Sequence, residues 1–252
     1  MISQFVASLH QNGSAPATIT SKLSAISFLH KLLGISDPTQ SFTIQKLLLA
    51  IRKHRVPDGR LPISPPILKS LIDSLQTLTN LQYDQQLFKT MYLFAFYAMT
   101  RISEITWDAN SQHTLQLANL QLPPPTEIHA PIMVRFSSFK HSTPGCSASI
   151  AIRPQHGSIY CPVSNMFEYL SLRGNRAGCL FLRSDGSPVS KNCFARKLRC
   201  CVAHLGLDIH KITPHSFRIG AATHAAQHGV SDSQLRSLGR WSSSAYSIYI
   251  RP

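Results

Sequence analysis

The spacing of apolar residues predicts two helices in the N-terminal part of the chain. In the first, apolar residues recur three and four positions apart, at Ile19, Leu23, Ile26, Leu29 and Leu33. Ser14 is its candidate N-cap, a proline lies in its first turn, and Gly34 is its expected end. The second run, FTIQKLLLAIRKHR, directs one apolar face inward through Ile44, Leu47, Leu48 and Ile51.

The segment VPDGRLPISPP interrupts this periodicity and predicts a linker. Helical spacing resumes after Ser64 in SPPILKSLIDSL, and LFKTMYLFAFYAM is apolar enough to be a core helix. We therefore expect a small helical domain over residues 1–57 and a larger domain over residues 58–252.

Alternating apolar and polar positions then replace the helical spacing. PIMVRFSSF and CSASIAIR are predicted as two strands of a hairpin, with a turn near Pro144 and Gly145. Helical spacing returns in PVSNMFEYLSLR, and in SKNCFARKLRCCVAHLG, which Ser190 would cap. The pattern as a whole predicts a mostly α fold with a small antiparallel β-sheet.

The C-terminal forty residues are also predicted to be helical. Thr213 and Pro214 are expected to begin a helix that carries HSFRIGAATHAAQH and ends at Gly229. SDSQLRSLG follows as a short helix, and a last turn or two carries Tyr246 and Tyr249.

The charge balance indicates which class of partner the protein binds. The 252 residues include 25 Lys and Arg against 11 Asp and Glu, a formal net charge of +14. Such an excess favours a polyanion, and nucleic acid ahead of a membrane surface. No long apolar window or signal peptide is apparent. Six cysteines without a CxxC pair predict a reducing compartment, and the spacing of Cys193, Cys200, Cys201 and His204 fits a buried helical stripe better than a zinc site.

Three short stretches carry candidate phosphate chemistry. His215 and Arg218 are three residues apart on one predicted helix, so both could reach one phosphate, although an ordinary helix surface has the same pattern. Arg101 follows an apolar helix, and a buried arginine requires an anion. Glu104, three residues on, is the simpler partner for it. Lys140 lies where a strand enters the hairpin turn and could reach over a cleft or point into solvent.

Taken in order, these stretches resemble the motifs of the tyrosine recombinase family, the phage integrase superfamily. TRISEI resembles the first arginine motif at Arg101, RFSSFKHS the hairpin lysine at Lys140, and TPHSFRIGAAT the box with His215 and Arg218. LGRW stands where the family has Leu-Gly-His, with Trp241 in place of the histidine. GRWSSSAYSIYIR particularly resembles recombinases of eukaryotic mobile elements such as the DIRS and Crypton groups.

The resemblance also implies a nucleophile. In the family the tyrosine follows the histidine or tryptophan by about nine residues; here Tyr249 stands eight residues after Trp241 and Tyr246 stands five. Tyr249 is therefore the implied nucleophile, attacking the scissile phosphate. Arg101 and Arg218 would hold the phosphate oxygens.

The remaining implied roles complete a metal-free reaction. Lys140 would protonate the departing 5′-hydroxyl, His215 would handle the tyrosine proton, and Trp241 would pack against the phosphate or donate a hydrogen bond to it. The implied activity is site-specific cutting and rejoining of DNA through a 3′-phosphotyrosyl intermediate, with no cofactor, metal or ATP.

The resemblance further implies a helical core-binding domain over residues 1–57, small enough that part of it is expected to be missing, and an α+β catalytic domain over residues 58–252. Expected partners are double-stranded DNA and further copies of the chain, as a dimer or tetramer, and no membrane. The expected location is the nucleus in a eukaryote and otherwise the cytoplasm. Two alternatives stay open: a recombinase-derived DNA-binding protein without strand exchange, and a type IB topoisomerase.

Overall fold

The computed structural model describes residues 1–53, 58–109, 113–124, 127, 130–138 and 147–251. The chain divides into two compact units, Met1–Gly59 and Arg60–Pro252. The predicted boundary after residue 57 lies two residues before this division. None of the described helices combines the length and apolar character needed to cross a membrane.

The first unit consists of helices around a small core. Its elements are α1 (Ile2–Gln11), α2 (Pro16–Leu32), a 3-10 turn (Pro38–Gln40) and α3 (Phe42–Lys53). The core is formed by Val6, Ile19, Leu23, Ile44, Leu48 and Ile51.

Two details of the predicted α2 are wrong. Its N-cap is Ala15 and not Ser14, and no side chain caps it. The predicted buried face also stops early, because Leu29 and Leu33 are 52% and 62% exposed. The six-residue core of this unit covers α2 only as far as Leu23, with Ile26 packed at its edge.

The second unit is built around one buried helix. Its helices are α4 (Pro65–Leu78), α5 (Gln82–Tyr97), α6 (Ile102–Ile105), α7 (Pro162–Arg173), α8 (Lys191–His204), α9 (Ser216–Gln227) and α10 (Asp232–Gly239). Every described side chain of α5 from Leu87 to Phe96 is buried except Lys89. Tyr92 of α5 packs its ring 5.5 Å from that of Phe194 on α8 and 5.2 Å from that of Phe217 on α9, between centroids. The prediction of a core helix here is confirmed.

A three-stranded antiparallel sheet completes this unit, in the order β1 (Leu120–Gln121), β2 (Ile132–Phe136), β3 (Ala148–Ile152). Val134 pairs with Ile150, and Ile132, Val134 and Phe136 of β2 are buried, as the alternation predicted. The predicted turn near Pro144 and Gly145 lies outside the described residues. β1 was not predicted, because two residues are too short to show a period.

The segment predicted as a linker is partly bound to the second unit. The Leu61 N–H donates to the carbonyl of Lys211 at 2.9 Å, and the Ile63 N–H donates to that of Ser216 at 3.1 Å. Ile63 is fully buried. The helix expected to begin at Thr213 and Pro214 begins instead at Ser216, with His215 at the N-cap. His215 and Arg218 therefore lie at the N-terminal end of α9.

Candidate active site

Arg218 is at the centre of a buried polar cluster. It projects from the first turn of α9, and the residue is 1% exposed. Its Nη1 donates to the carbonyl of Met99 and its Nη2 to the carbonyl of Gly239. Its Nε is buried and has no hydrogen-bond partner in the described part of the chain. A buried guanidinium is tolerated when carbonyl oxygens and a neighbouring anion compensate for lost water.

Two aromatic rings cover this guanidinium. The Cζ atom of Arg218 lies 4.1 Å from the ring centroid of Trp241 and 5.6 Å from that of Tyr249. Both distances are within the range of cation–π attraction. Trp241 is 8% exposed, and no described residue forms a hydrogen bond with its indole Nε1. The cluster therefore contains three buried N–H donors, on Arg218, Trp241 and the adjacent Arg240, that no described protein atom satisfies.

Tyr249 joins His215 to this cluster. The centroid of its ring lies 5.0 Å from that of His215 and 5.2 Å from that of Trp241. Its backbone is held on α9, because the Thr223 hydroxyl donates to the Tyr249 carbonyl at 3.2 Å. The Arg251 N–H in turn donates to the Thr223 hydroxyl at 3.1 Å. The 3-10 segment Ser244–Tyr249 is thus fixed next to the residues predicted to bind phosphate.

Tyr246 has a different environment. Its ring centroid is 6.4 Å from that of Trp241, farther than Tyr249. Its hydroxyl donates a hydrogen bond to the Asp232 carboxylate, and this bond raises the pKa of Tyr246 above its ordinary value. A tyrosine that must lose its proton to act as a nucleophile is disfavoured by such a bond.

Arg101 enters the cluster through Glu104. The Nη1 of Arg101 lies 3.1 Å from Oε1 of Glu104, and the Arg101 N–H donates to Oε2 at 2.9 Å. The Arg101 side chain stays 18% exposed, while that of Glu104 is 1% exposed. The expected ion pair between Arg101 and Glu104 is therefore present, and it leaves part of the Arg101 side chain open to solvent.

Arg240, which the sequence did not single out, is the third arginine of the cluster. Its Nη2 lies 2.7 Å from Oε2 of Glu104, and both side chains are 1% exposed. The Met99 carbonyl accepts from Arg240 as well as from Arg218. The only sequence signal was its place in LGRW, directly before Trp241.

The cluster has an excess of positive charge. Among the described residues it contains three guanidinium groups, of Arg101, Arg218 and Arg240, and the Glu104 carboxylate, which pairs with Arg101 and Arg240. Burial, followed by the charges of Arg101 and Arg240, lowers the pKa of Arg218 to about 9. That value is above neutrality, so Arg218 keeps its charge at neutral pH. Such a site favours an anion with several oxygen acceptors, such as a phosphodiester.

The cluster brings together five of the six predicted site residues, namely Arg101, His215, Arg218, Trp241 and Tyr249. Lys140, the sixth, lies outside the described residues. The buried stripe predicted for α8 is only partly present, because Cys201 is buried while the adjacent Cys200 is exposed.

Comparison with known proteins identifies a family model in the C-terminal part of the chain. Residues 162–251 match the family model described as the phage integrase family. No curated protein sequence matches the chain significantly.

Solved structures of recombinases share the fold. The Tn1549 transposon integrase in complex with circular intermediate DNA matches with a TM-score of 0.67 and 16% identity, over 99% of this chain and 79% of that one. A lambda integrase dimer bound to a COC′ core site matches with a TM-score of 0.62 and 14% identity, over 99% of this chain and 63% of that one. XerA recombinase matches with a TM-score of 0.56 and 19% identity, over 100% of this chain and 93% of that one.

The resemblance to DIRS and Crypton elements is not addressed by these matches and stays a prediction. The matched family region contains α7 to α10 and the segment with Tyr249, which carry four of the predicted site residues. Residues 162–251 therefore match the phage integrase family, in a chain whose fold is shared with solved structures of recombinases.

Proposed function

We propose that this chain is a site-specific DNA recombinase that cuts and rejoins DNA through a phosphotyrosine link at the 3′ end. The supporting observation is the position of Tyr249, whose ring lies 5.0 Å from the His215 ring and 5.6 Å from the Arg218 guanidinium carbon. A nucleophile, a proton acceptor and a cation are thus adjacent, as phosphoryl transfer without a metal requires.

Tyr249, His215 and Lys140 each have a role in the proposed cleavage step. The Tyr249 hydroxyl oxygen forms a bond to the scissile phosphorus while its proton passes to His215. The bond from phosphorus to the 5′ oxygen breaks, and that oxygen takes a proton, a role that the family resemblance assigns to Lys140. Attack by a 5′-hydroxyl on the phosphotyrosine reverses each step, so rejoining needs no ATP.

Two unsatisfied donors support a phosphate in this place. Arg218 Nε and Trp241 Nε1 are buried, and neither has a hydrogen-bond partner among the described residues. Each orphaned donor costs about 1–3 kcal/mol. A phosphodiester oxygen between them would remove that cost, and Arg101 is exposed enough to bind a second oxygen.

One observation favours a second candidate, a recombinase-derived DNA-binding protein without strand exchange. Arg218 is 1% exposed, and both of its terminal nitrogens donate to backbone carbonyls. A phosphate that reaches these nitrogens must compete with the carbonyls of Met99 and Gly239. If nothing displaces these carbonyls, DNA binds and the chemistry fails.

Covalent trapping separates these candidates. The protein is incubated in EDTA with a pool of labelled random duplexes nicked near their centre, so that a short cleaved strand diffuses away, and with supercoiled plasmid. Labelled DNA that stays attached to protein in denaturing detergent through a 3′ phosphate supports the recombinase. Tight binding of the pool with no adduct favours the DNA-binding protein. Plasmid relaxation without site preference would instead indicate a topoisomerase.

DNA binding is expected to depend steeply on salt, because the net charge of +14 favours phosphate contacts. For a footprint of several phosphates, we expect the affinity for duplex DNA to fall by about a thousandfold or more between about 50 and 200 mM salt. Fluorescence anisotropy over this range gives the slope. An affinity that hardly changes with salt would contradict a phosphate-dominated interface.

A further inference from the structure

We infer that Arg240 is a positioning residue that holds Arg101 and Arg218 in their relative places. The catalytic test of this inference rests on the proposed function, and its stability test is independent of that function. Arg240 follows α10 directly, one residue before Trp241.

The contacts of Arg240 join three separate segments. Besides the Glu104 carboxylate at 2.7 Å, its guanidinium donates to the carbonyls of Ala98 at 3.3 Å, Met99 at 3.3 Å and Leu238 at 3.2 Å. Its Cζ lies 3.8 Å from the ring centroid of Phe136, at the end of β2. The segment before α6, the sheet and the end of α10 therefore meet at one side chain.

Arg240 reaches each of the other two arginines through one shared acceptor. Glu104 accepts from Arg101 through Oε1 and from Arg240 through Oε2. The Met99 carbonyl accepts from Arg240 and from Arg218. Loss of Arg240 would release both acceptors, and Arg101 and Arg218 would each lose a fixed partner.

The backbone supports this assignment. Met99 and Arg240 have φ of 45° and 55°, and in the described part of the chain they are the non-glycine residues with positive φ. This conformation is unfavourable for side chains other than glycine, and it persists where surrounding contacts impose it. Both residues belong to the same hydrogen-bonded group.

Arg240 and Trp241 are adjacent in the chain, but their side chains have different partners. Arg240, nine residues before Tyr249, points to Glu104, and Trp241, eight residues before Tyr249, covers Arg218. The charge of Arg240 is paired with the buried Glu104 carboxylate, and its terminal nitrogens also donate to three carbonyls, so its role is to position other groups and not to bind phosphate. It acts through Glu104 and Met99.

The structural test is a double-mutant cycle on the full chain. Either Arg101→Met or Arg240→Met leaves Glu104 with one cationic partner, and the double variant leaves it with none. A buried carboxylate without a cation is costly, so the double variant should lose more Tm than the sum of the single losses, by about 2 °C or more. Adding Glu104→Gln to the double variant should recover part of that loss.

The control cycle pairs Arg240→Met with Arg183→Met, whose partner Asp185 is at the surface. Its effects should add. Additive losses for Arg101 and Arg240 would overturn the inference, whatever the protein does to DNA.

The catalytic test uses Arg240→Lys, which keeps the charge near Glu104 but cannot reach the same set of acceptors. At saturating DNA, and below its Tm, we expect the rate of adduct formation to fall by about 100-fold, with DNA affinity little changed. An unchanged rate in the folded variant would overturn the inference. If the unchanged protein forms no adduct, the proposed function fails, and the stability cycle alone decides the role of Arg240.

Discussion

Tyr249→Phe is expected to form no covalent adduct with DNA, while Tyr246→Phe forms it at nearly the rate of the unchanged protein. The reason is that the two tyrosines have different surroundings. The Tyr249 ring lies next to His215 and over Arg218, and Thr223 holds its carbonyl. The Tyr246 hydroxyl is engaged with Asp232. Removing one oxygen from Tyr249 removes the attacking atom and leaves the packing of the ring in place.

The measurement is a denaturing gel of labelled nicked duplex after incubation with each variant. Tyr246→Phe is the matched control, because both substitutions remove one hydroxyl from the same 3-10 segment. Unchanged Tm values and DNA affinities would show that the variants fold and bind. An adduct that persists in Tyr249→Phe and disappears in Tyr246→Phe would transfer the nucleophile to Tyr246.

Periodicity predicted the elements well where an element is long and its buried face is continuous. Residues of α5 from Leu87 to Phe96 are apolar almost throughout, and the helix lies at the centre of its unit. Prediction of α2 was less successful, because spacing identifies an apolar face but not what covers it. Leu29 and Leu33 continue the stripe of Ile19 and Leu23 beyond the end of the core.

Prediction of the candidate site depended on motifs, and motifs do not show shared partners. For Arg101, an ion pair with Glu104 and a role in binding phosphate stood as alternatives. In the structure one end of the guanidinium binds Glu104 and the side chain stays partly exposed, so the two are compatible.

The role of Arg240 could not be predicted from the sequence. Its carboxylate partner is 136 positions away, and neither propensity nor spacing carries information about such a contact. The strongest local clue, an arginine between Gly239 and Trp241, is equally typical of a solvated helix end.

Gly220→Ala is expected to destabilise the second unit strongly, although helix propensity alone predicts that it stabilises α9 by about 1 kcal/mol. A Cβ atom placed on Gly220 would lie 1.9 Å from the carbonyl oxygen of Ile63, 2.6 Å from its carbonyl carbon and 2.9 Å from its nitrogen. These are backbone atoms, and the Ile63 N–H is hydrogen-bonded to Ser216, so they cannot move independently of α9.

The expected cost is about 3 kcal/mol or more, the upper range for overpacking. This corresponds to a Tm lower by roughly 6–12 °C for a unit of this size, measured by circular dichroism. Gly59→Ala is the control, because a Cβ there meets no atom of the described residues within 4 Å. An unchanged or higher Tm for Gly220→Ala would mean that the segment from Leu61 to Ile63 separates from α9 easily. In that case the start of α9, with His215 and Arg218, would not depend on this segment for its position.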